Sequence, residues 1–175
     1  GVYIDDALNV VYPVGDTGEN PLLVVMAHSD VVFPDTTPLP LEIRDGRIYC
    51  PGVMDDTANA VALLTVAGHI AREKRTPKGC GILLVINSGE EGLGNLKCTR
   101  QIFKDYEGRI KQFISFDGTM GGIVERAVGS ERWKVTATTK GGHSYGSFGN
   151  PNAIAALSGV ICCLYGQPVP QIPGR

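Results

Sequence analysis

The sequence predicts an α/β fold: a mostly parallel sheet flanked by helices, followed by the first strand and helix of a second, α+β unit. Three observations predict it. Short apolar runs alternate with stretches of helical character in the order strand, helix, strand, helix, strand. The runs Leu22-Leu23-Val24-Val25-Met26 and Ile82-Leu83-Leu84-Val85-Ile86 are apolar on both faces, as interior parallel strands are. Beyond about Ile123 the pattern changes, and residues 131–138 alternate polar with apolar like a strand with one solvated face.

The elements follow in order. Residues 8–13 and 21–27 read as strands, joined through the turn formers Gly15-Asp16-Thr17-Gly18-Glu19-Asn20-Pro21. Residues 31–51 form a Pro-rich excursion with a small hairpin, 41–44 against 47–49, turning at Asp45-Gly46. A helix is expected over 57–75, because Ala60, Leu63, Leu64, Ala67 and Ala71 keep helical spacing. Asp55 and Asp56 suit its positive end, Arg72, Lys74 and Arg75 its negative end, and Pro77 stops it. A strand follows over 81–87. The loop Gly89-Glu90-Glu91-Gly92 then leads into a short helix near 95–103, and a strand over 112–116 ends at Asp117. Right-handed βαβ units place these strand ends on one edge, where the sites of open parallel sheets lie. The glycine-rich turn 141–146 precedes a last helix, 152–164. The expected division is a first domain, 1–129, and the beginning of a second, 130–175. One strand and one helix cannot close a core, so the second reads as unfinished.

Composition narrows the class. A hydrophobic share of 43% is ordinary for a folded domain and argues against disorder. A net charge of -2 gives no electrostatic reason to expect nucleic acid or an anionic membrane as partner. No apolar run approaches the roughly 20 residues that span a bilayer. The chain opens without a signal peptide and without Met, so an upstream segment is expected to be missing or processed. Five cysteines, two of them the neighbours Cys162-Cys163, with no CxxC, suggest reduced, buried small residues in a cytosolic protein rather than disulfides or zinc ligands.

The chemistry sits at the strand ends. Ala27-His28-Ser29-Asp30, Asp55-Asp56, Glu90-Glu91 and Asp117-Gly118 each follow an apolar run or open a turn. Adjacent carboxylates there are costly unless something positive sits among them. Imidazole and carboxylate oxygens suit zinc, and two ions can polarise a carbonyl and activate water near neutral pH. Asp55, at a turn and a helix start, is placed to bridge two ions. Asp30 is placed to accept the His28 imidazole N–H. Of Glu90 and Glu91, one can serve as ligand and the other as proton shuttle. Taken singly, Asp55-Asp56 is also a helix cap, Glu90-Glu91 a solvated loop and Asp117-Gly118 a turn.

Together these motifs resemble the M20 family of co-catalytic zinc peptidases and deacylases, which includes peptidase T, carboxypeptidase G-type enzymes and acetylornithine deacetylase. The resemblance runs over about 21–165. It implies a catalytic first domain and a lid or dimerisation domain starting near 130. It implies two Zn2+, with cobalt or manganese as substitutes. His28 and Asp117 would hold one ion, Asp55 would bridge, often with a cis peptide to the next residue, and Glu91 would hold the other. Glu90 would be general base and acid, Asp30 the partner of His28, and His143, in Gly141-Gly142-His143-Ser144, the residue that reaches the partner subunit's site in a homodimer. The expected substrate is a small peptide, with an N-acyl amino acid as alternative, and the expected location is the cytoplasm. A non-catalytic metal- or peptide-binding relative and an unrelated α/β binding domain are the rival classes.

One departure matters. The family carries a further ligand histidine after the lid, and this sequence has only His28, His69 and His143. His69 lies roughly 21 Å beyond Asp55 along one helix at ~1.5 Å per residue, too far to substitute. The chain is therefore expected to stop inside the lid, with Gly174-Arg175 suiting a nicked or incomplete end. Alone it is expected to be inactive, with a weak or empty second zinc site.

Overall fold

A computed structural model describes residues 1–33, 37–118, 121–127, 129–169 and 171. The end Gly174-Arg175 and part of the Pro-rich excursion lie outside the described residues. The chain divides into two compact units, Gly1–Gly121 and Gly122–Arg175.

The first unit is built on a five-stranded sheet of β1 (Tyr3–Ile4), β2 (Val10–Val14), β3 (Leu22–His28), β6 (Gly81–Asn87) and β7 (Ile110–Ser115), ordered β1-β2-β6-β3-β7. The hairpin β4 (Glu42–Arg44) and β5 (Arg47–Tyr49) stands apart as a two-stranded sheet. Its turn places Asp45 and Gly46 at φ 51° and 70°, the left-handed pair that a two-residue hairpin needs. β3 pairs in parallel with both β6 and β7, while β2 runs antiparallel to β6 and β1 to β2. The sheet is thus mixed, with an antiparallel edge on a parallel centre.

Helices α1 (Ala58–Glu73) and α2 (Lys97–Asp105) make the two crossovers from β3 to β6 and from β6 to β7. They lie on opposite faces, because the strands alternate. Leu22, Val24 and Met26 of β3 pack with Val11, Leu83, Val85 and Ile102 of α2. Ala27 packs instead with Val14, Leu84 and Ala60 and Leu63 of α1, with Val25 alongside. Burial on both faces is what the uninterrupted apolar runs require. α1 ends at Glu73, two residues before the expected end, where Lys74 turns left-handed at φ 50° and donates its N–H to the Ile70 carbonyl.

The second unit holds α3 (Ala153–Tyr165). Asn152, expected as its first residue, is its cap: the side chain accepts the N–H groups of Ile154 at 2.8 Å and Ala155 at 3.2 Å. Residues 131–138, expected as a strand, pair with no other strand among the described residues. Alternation alone does not make a strand, since the ladder needs a neighbour. The cysteines also depart from expectation. All five are free, but only Cys98 is buried, and Cys162 and Cys163 are exposed on α3, which buries no residue. Among the described residues no helix is long and apolar enough to cross a membrane.

The sheet core carries the stability of the first unit. Leu83→Ala, at a fully buried site, is expected to cost about 2–5 kcal/mol in urea unfolding. Leu64→Ala, 57% exposed on α1, is expected to stay within about 0.5 kcal/mol.

Candidate metal centre

Three parallel strands deliver the site. His28 is the last residue of β3 and pairs in register with Asn87, the last of β6. From Asn87 the chain runs through Ser88 and Gly89 to Glu90 and Glu91. β7 is carried one step beyond its last residue by the Phe116 N–H to the Met26 carbonyl, 2.8 Å, so Asp117 arrives at the same edge. Asp55 comes from the turn Val53–Thr57 that opens α1. The Asp55–Asp56 peptide bond is cis, as the family resemblance implies.

The imidazole of His28 is 2% exposed and held from both nitrogens. Nε2 lies 3.0 Å from Asp55 Oδ1. Nδ1 lies 2.9 Å from the backbone carbonyl of Asp30 and 3.5 Å from its Oδ1. The residue expected to orient His28 therefore does so chiefly through its carbonyl. Its carboxylate has a second task. Oδ2 accepts the N–H of Glu91 at 2.9 Å and Oδ1 that of Glu90 at 3.4 Å, which pins the di-glutamate loop. The loop is also held by a close approach: a Cβ on Gly94 would sit 2.2 Å from the Gly89 carbonyl oxygen. Glycine is required there.

Among the described residues two donor groups form, each with its ligand atoms within 4.8 Å of one another: His28, Glu90 and Asp117, and His28, Asp55 and Glu91. The five expected acid and imidazole groups are thus brought together: His28 stands with Asp117 in one group and with Asp55 and Glu91 in the other. Glu90, read as base rather than ligand, stands with His28 and Asp117. One imidazole and several carboxylates, with no thiolate, form a donor set that fits zinc, cobalt or manganese. His69 is exposed on α1. His143 lies in the second unit, where its Nδ1 accepts the N–H groups of Tyr145 at 3.2 Å and Gly146 at 3.3 Å. An accepting Nδ1 leaves the proton on Nε2.

Sequence reading missed two members of this neighbourhood. Asp56, 1% exposed, accepts the backbone N–H of His28 at 3.0 Å and a short hydrogen bond from Asn59 Nδ2. Asn59 also donates to the Gly118 carbonyl at 3.2 Å. Asp56 is not capping α1; its carboxylate faces the strand end. The Asp-x-x-Asn spacing at a helix start was the available signal, since residues three apart share a face.

Crowded acids raise one another's proton affinity. Burial pushes the Glu90 carboxyl up from the usual 4.5; nearby Asp117, Glu91 and Asp30 add to this and His28 opposes it. Burial likewise raises Asp56 above 3.8 against the hydrogen bonds that hold it. Burial pulls His28 down, but the Asp30 carbonyl and the charges of Asp56, Glu90 and Asp30 outweigh it, leaving it above 6.5.

All three groups hold protons more tightly folded than unfolded. Their contribution to stability is full below the unfolded values and is lost as pH rises through the raised folded ones. Metal-free protein is therefore expected to melt at lower temperature as pH climbs from about 4.5 to 8, with a shallower fall in Glu90→Gln, by calorimetry in chelator. Divalent-metal affinity is expected to run the other way and weaken as pH falls, because ligation needs the deprotonated groups.

Comparison with known proteins places this site in a family. The family model "Peptidase family M20/M25/M40" matches residues 24–174. A "Probable succinyl-diaminopimelate desuccinylase" of Staphylococcus aureus (strain Mu50 / ATCC 700699) is 29% identical over 158 residues, covering 85% of this chain and 38% of the relative. A "Putative dipeptidase YtjP" of Bacillus subtilis (strain 168) is 31% identical over 90 residues, 49% of this chain and 19% of the relative. The chain thus spans well under half the length of these relatives. With the matched segment running from β3 through α3 and enclosing every residue of the acid and imidazole cluster, the chain belongs to peptidase family M20/M25/M40.

Proposed function

We propose that this chain carries the metal-binding part of a dinuclear zinc-dependent hydrolase of peptide or amide bonds, an exopeptidase of the di- or tripeptidase or carboxypeptidase type. The observation that carries the reading is the pair of donor groups sharing His28 at one sheet edge. His28 and Asp117 would hold one ion, Asp55 would lie between two, and Glu91 would hold the second. When bound, the ions would polarise the scissile carbonyl and lower the pKa of water. Glu90 takes the proton of the attacking water and returns it to the leaving nitrogen; its raised proton affinity suits a group that must do both near neutral pH. Asp30 keeps Glu90 and Glu91 in place from behind through their N–H groups. His143, its Nε2 proton free to donate, would stabilise the developing oxyanion in a homodimer joined through the second unit. Cobalt or manganese would serve the same ligands, and a cytoplasmic location fits the reduced cysteines.

A second reading, N-acyl-amino-acid deacylation, has its own support: the match to the desuccinylase covers 85% of this chain, against 49% for the dipeptidase. Both reactions break an amide bond and need the same centre. Rates on unblocked dipeptides and on N-succinyl amino acids separate them.

Glu90→Gln in the complete enzyme is expected to lower kcat by about 10²–10⁴-fold while bound metal, counted by elemental analysis, stays at the wild-type level. Retained turnover would remove Glu90 from the base role.

A further inference from the structure

The buried carboxylate of Asp56 belongs to neither donor group. It is 1% exposed, yet among the described residues it accepts from a backbone N–H and an amide rather than from a lysine or arginine. A buried anion held in this way is expensive and needs a reason. Its partners supply one. Asp56 accepts the main-chain N–H of His28 at 3.0 Å, so it fixes the end of β3. It is the chain neighbour of Asp55. It accepts from Asn59, 7% exposed, whose amide also donates to the Gly118 carbonyl next to Asp117. Two side chains thus touch the backbone beside His28, Asp55 and Asp117, which come from three separate parts of the chain.

We infer that Asp56 and Asn59 form a positioning brace that sets the spacing of His28, Asp55 and Asp117, and so tunes the affinity and geometry of the metal pair without contacting the ions. The inference rests on the proposed metal function. Asp56 cannot move without dragging the His28 main chain, and Asn59 is the clamp that carries this register to the Asp117 loop. The residues are not interchangeable: Asp56 must accept twice, and Asn59 must donate twice from one nitrogen.

Cobalt binding to metal-free protein tests this, with Co2+ alone as probe, by equilibrium dialysis and by the visible spectrum of the bound ion. Asn59→Ala is expected to weaken Co2+ binding about 10–100-fold and to shift the spectrum, the usual size of an outer-partner effect. The exchange Asp56→Asn with Asn59→Asp keeps an acceptor for the His28 N–H and a bond between the two positions, but leaves no donor for Gly118. It is expected to stay weak. Ala67→Gly, partly buried on the same helix, lowers thermal stability and is expected to leave affinity and spectrum unchanged. Wild-type affinity and spectrum in Asn59→Ala, or full recovery in the exchange, would overturn the brace. Equal weakening in Ala67→Gly would reduce it to general stability. Failure of the wild type to take up Co2+ would overturn the metal reading itself, a result distinct from the other three.

Discussion

The first unit depends on one topological constraint: parallel strands end on the same edge, so the loops that follow them meet there. In this chain those loops bring His28, Asp55, Glu90, Glu91 and Asp117 within reach of one another. Carboxylates so gathered repel one another, and the part-buried Glu90 also loses hydration. The apolar layers beneath, Leu22, Val24, Met26, Leu83 and Val85 on one face and Ala27, Ala60, Leu63 and Leu84 on the other, hold the edge together against that repulsion. A cation among the acids would relieve it, which makes the fold and the proposed chemistry parts of one argument.

The acids divide into two kinds. Those of the donor groups keep their oxygens turned to a shared space, and Asp55 remains 57% exposed at its side chain. Asp30 and Asp56 turn to main-chain N–H groups instead, Asp30 with both oxygens on the Glu90-Glu91 loop and Asp56 with one on the end of β3, its other oxygen taking the Asn59 amide. Each main-chain bond fixes a loop whose side chain is left free to act. This is how a site assembled from separate loops acquires a definite geometry without a rigid element under each ligand.

The second unit obeys a different limit. Its helix α3 is mostly apolar yet has no fully buried residue, and the alternating segment before it forms no ladder among the described residues. Secondary structure that depends on a neighbour appears only where the neighbour exists. Asn152 bonds to the two N–H groups just beyond it, so the helix start forms regardless.

Local signals in the sequence determined where β3, β6, α1 and the β4–β5 hairpin lie, because apolar runs, helical spacing and an Asp-Gly turn depend on adjacent residues alone. They also picked out the acids and imidazole that gather at the edge, because four such motifs recur in order at strand ends and the turns after them, although each alone has an ordinary structural use. What the sequence could not show was partnership across the chain. That Asp30 serves Glu90 and Glu91 as well as His28, that Asp56 grips the His28 main chain, and that Asn59 reaches Gly118 depend on contacts between loops far apart in sequence. Those were decided only when the sheet brought three strand ends to one edge, because a hydrogen bond has no signature until both its atoms are in place.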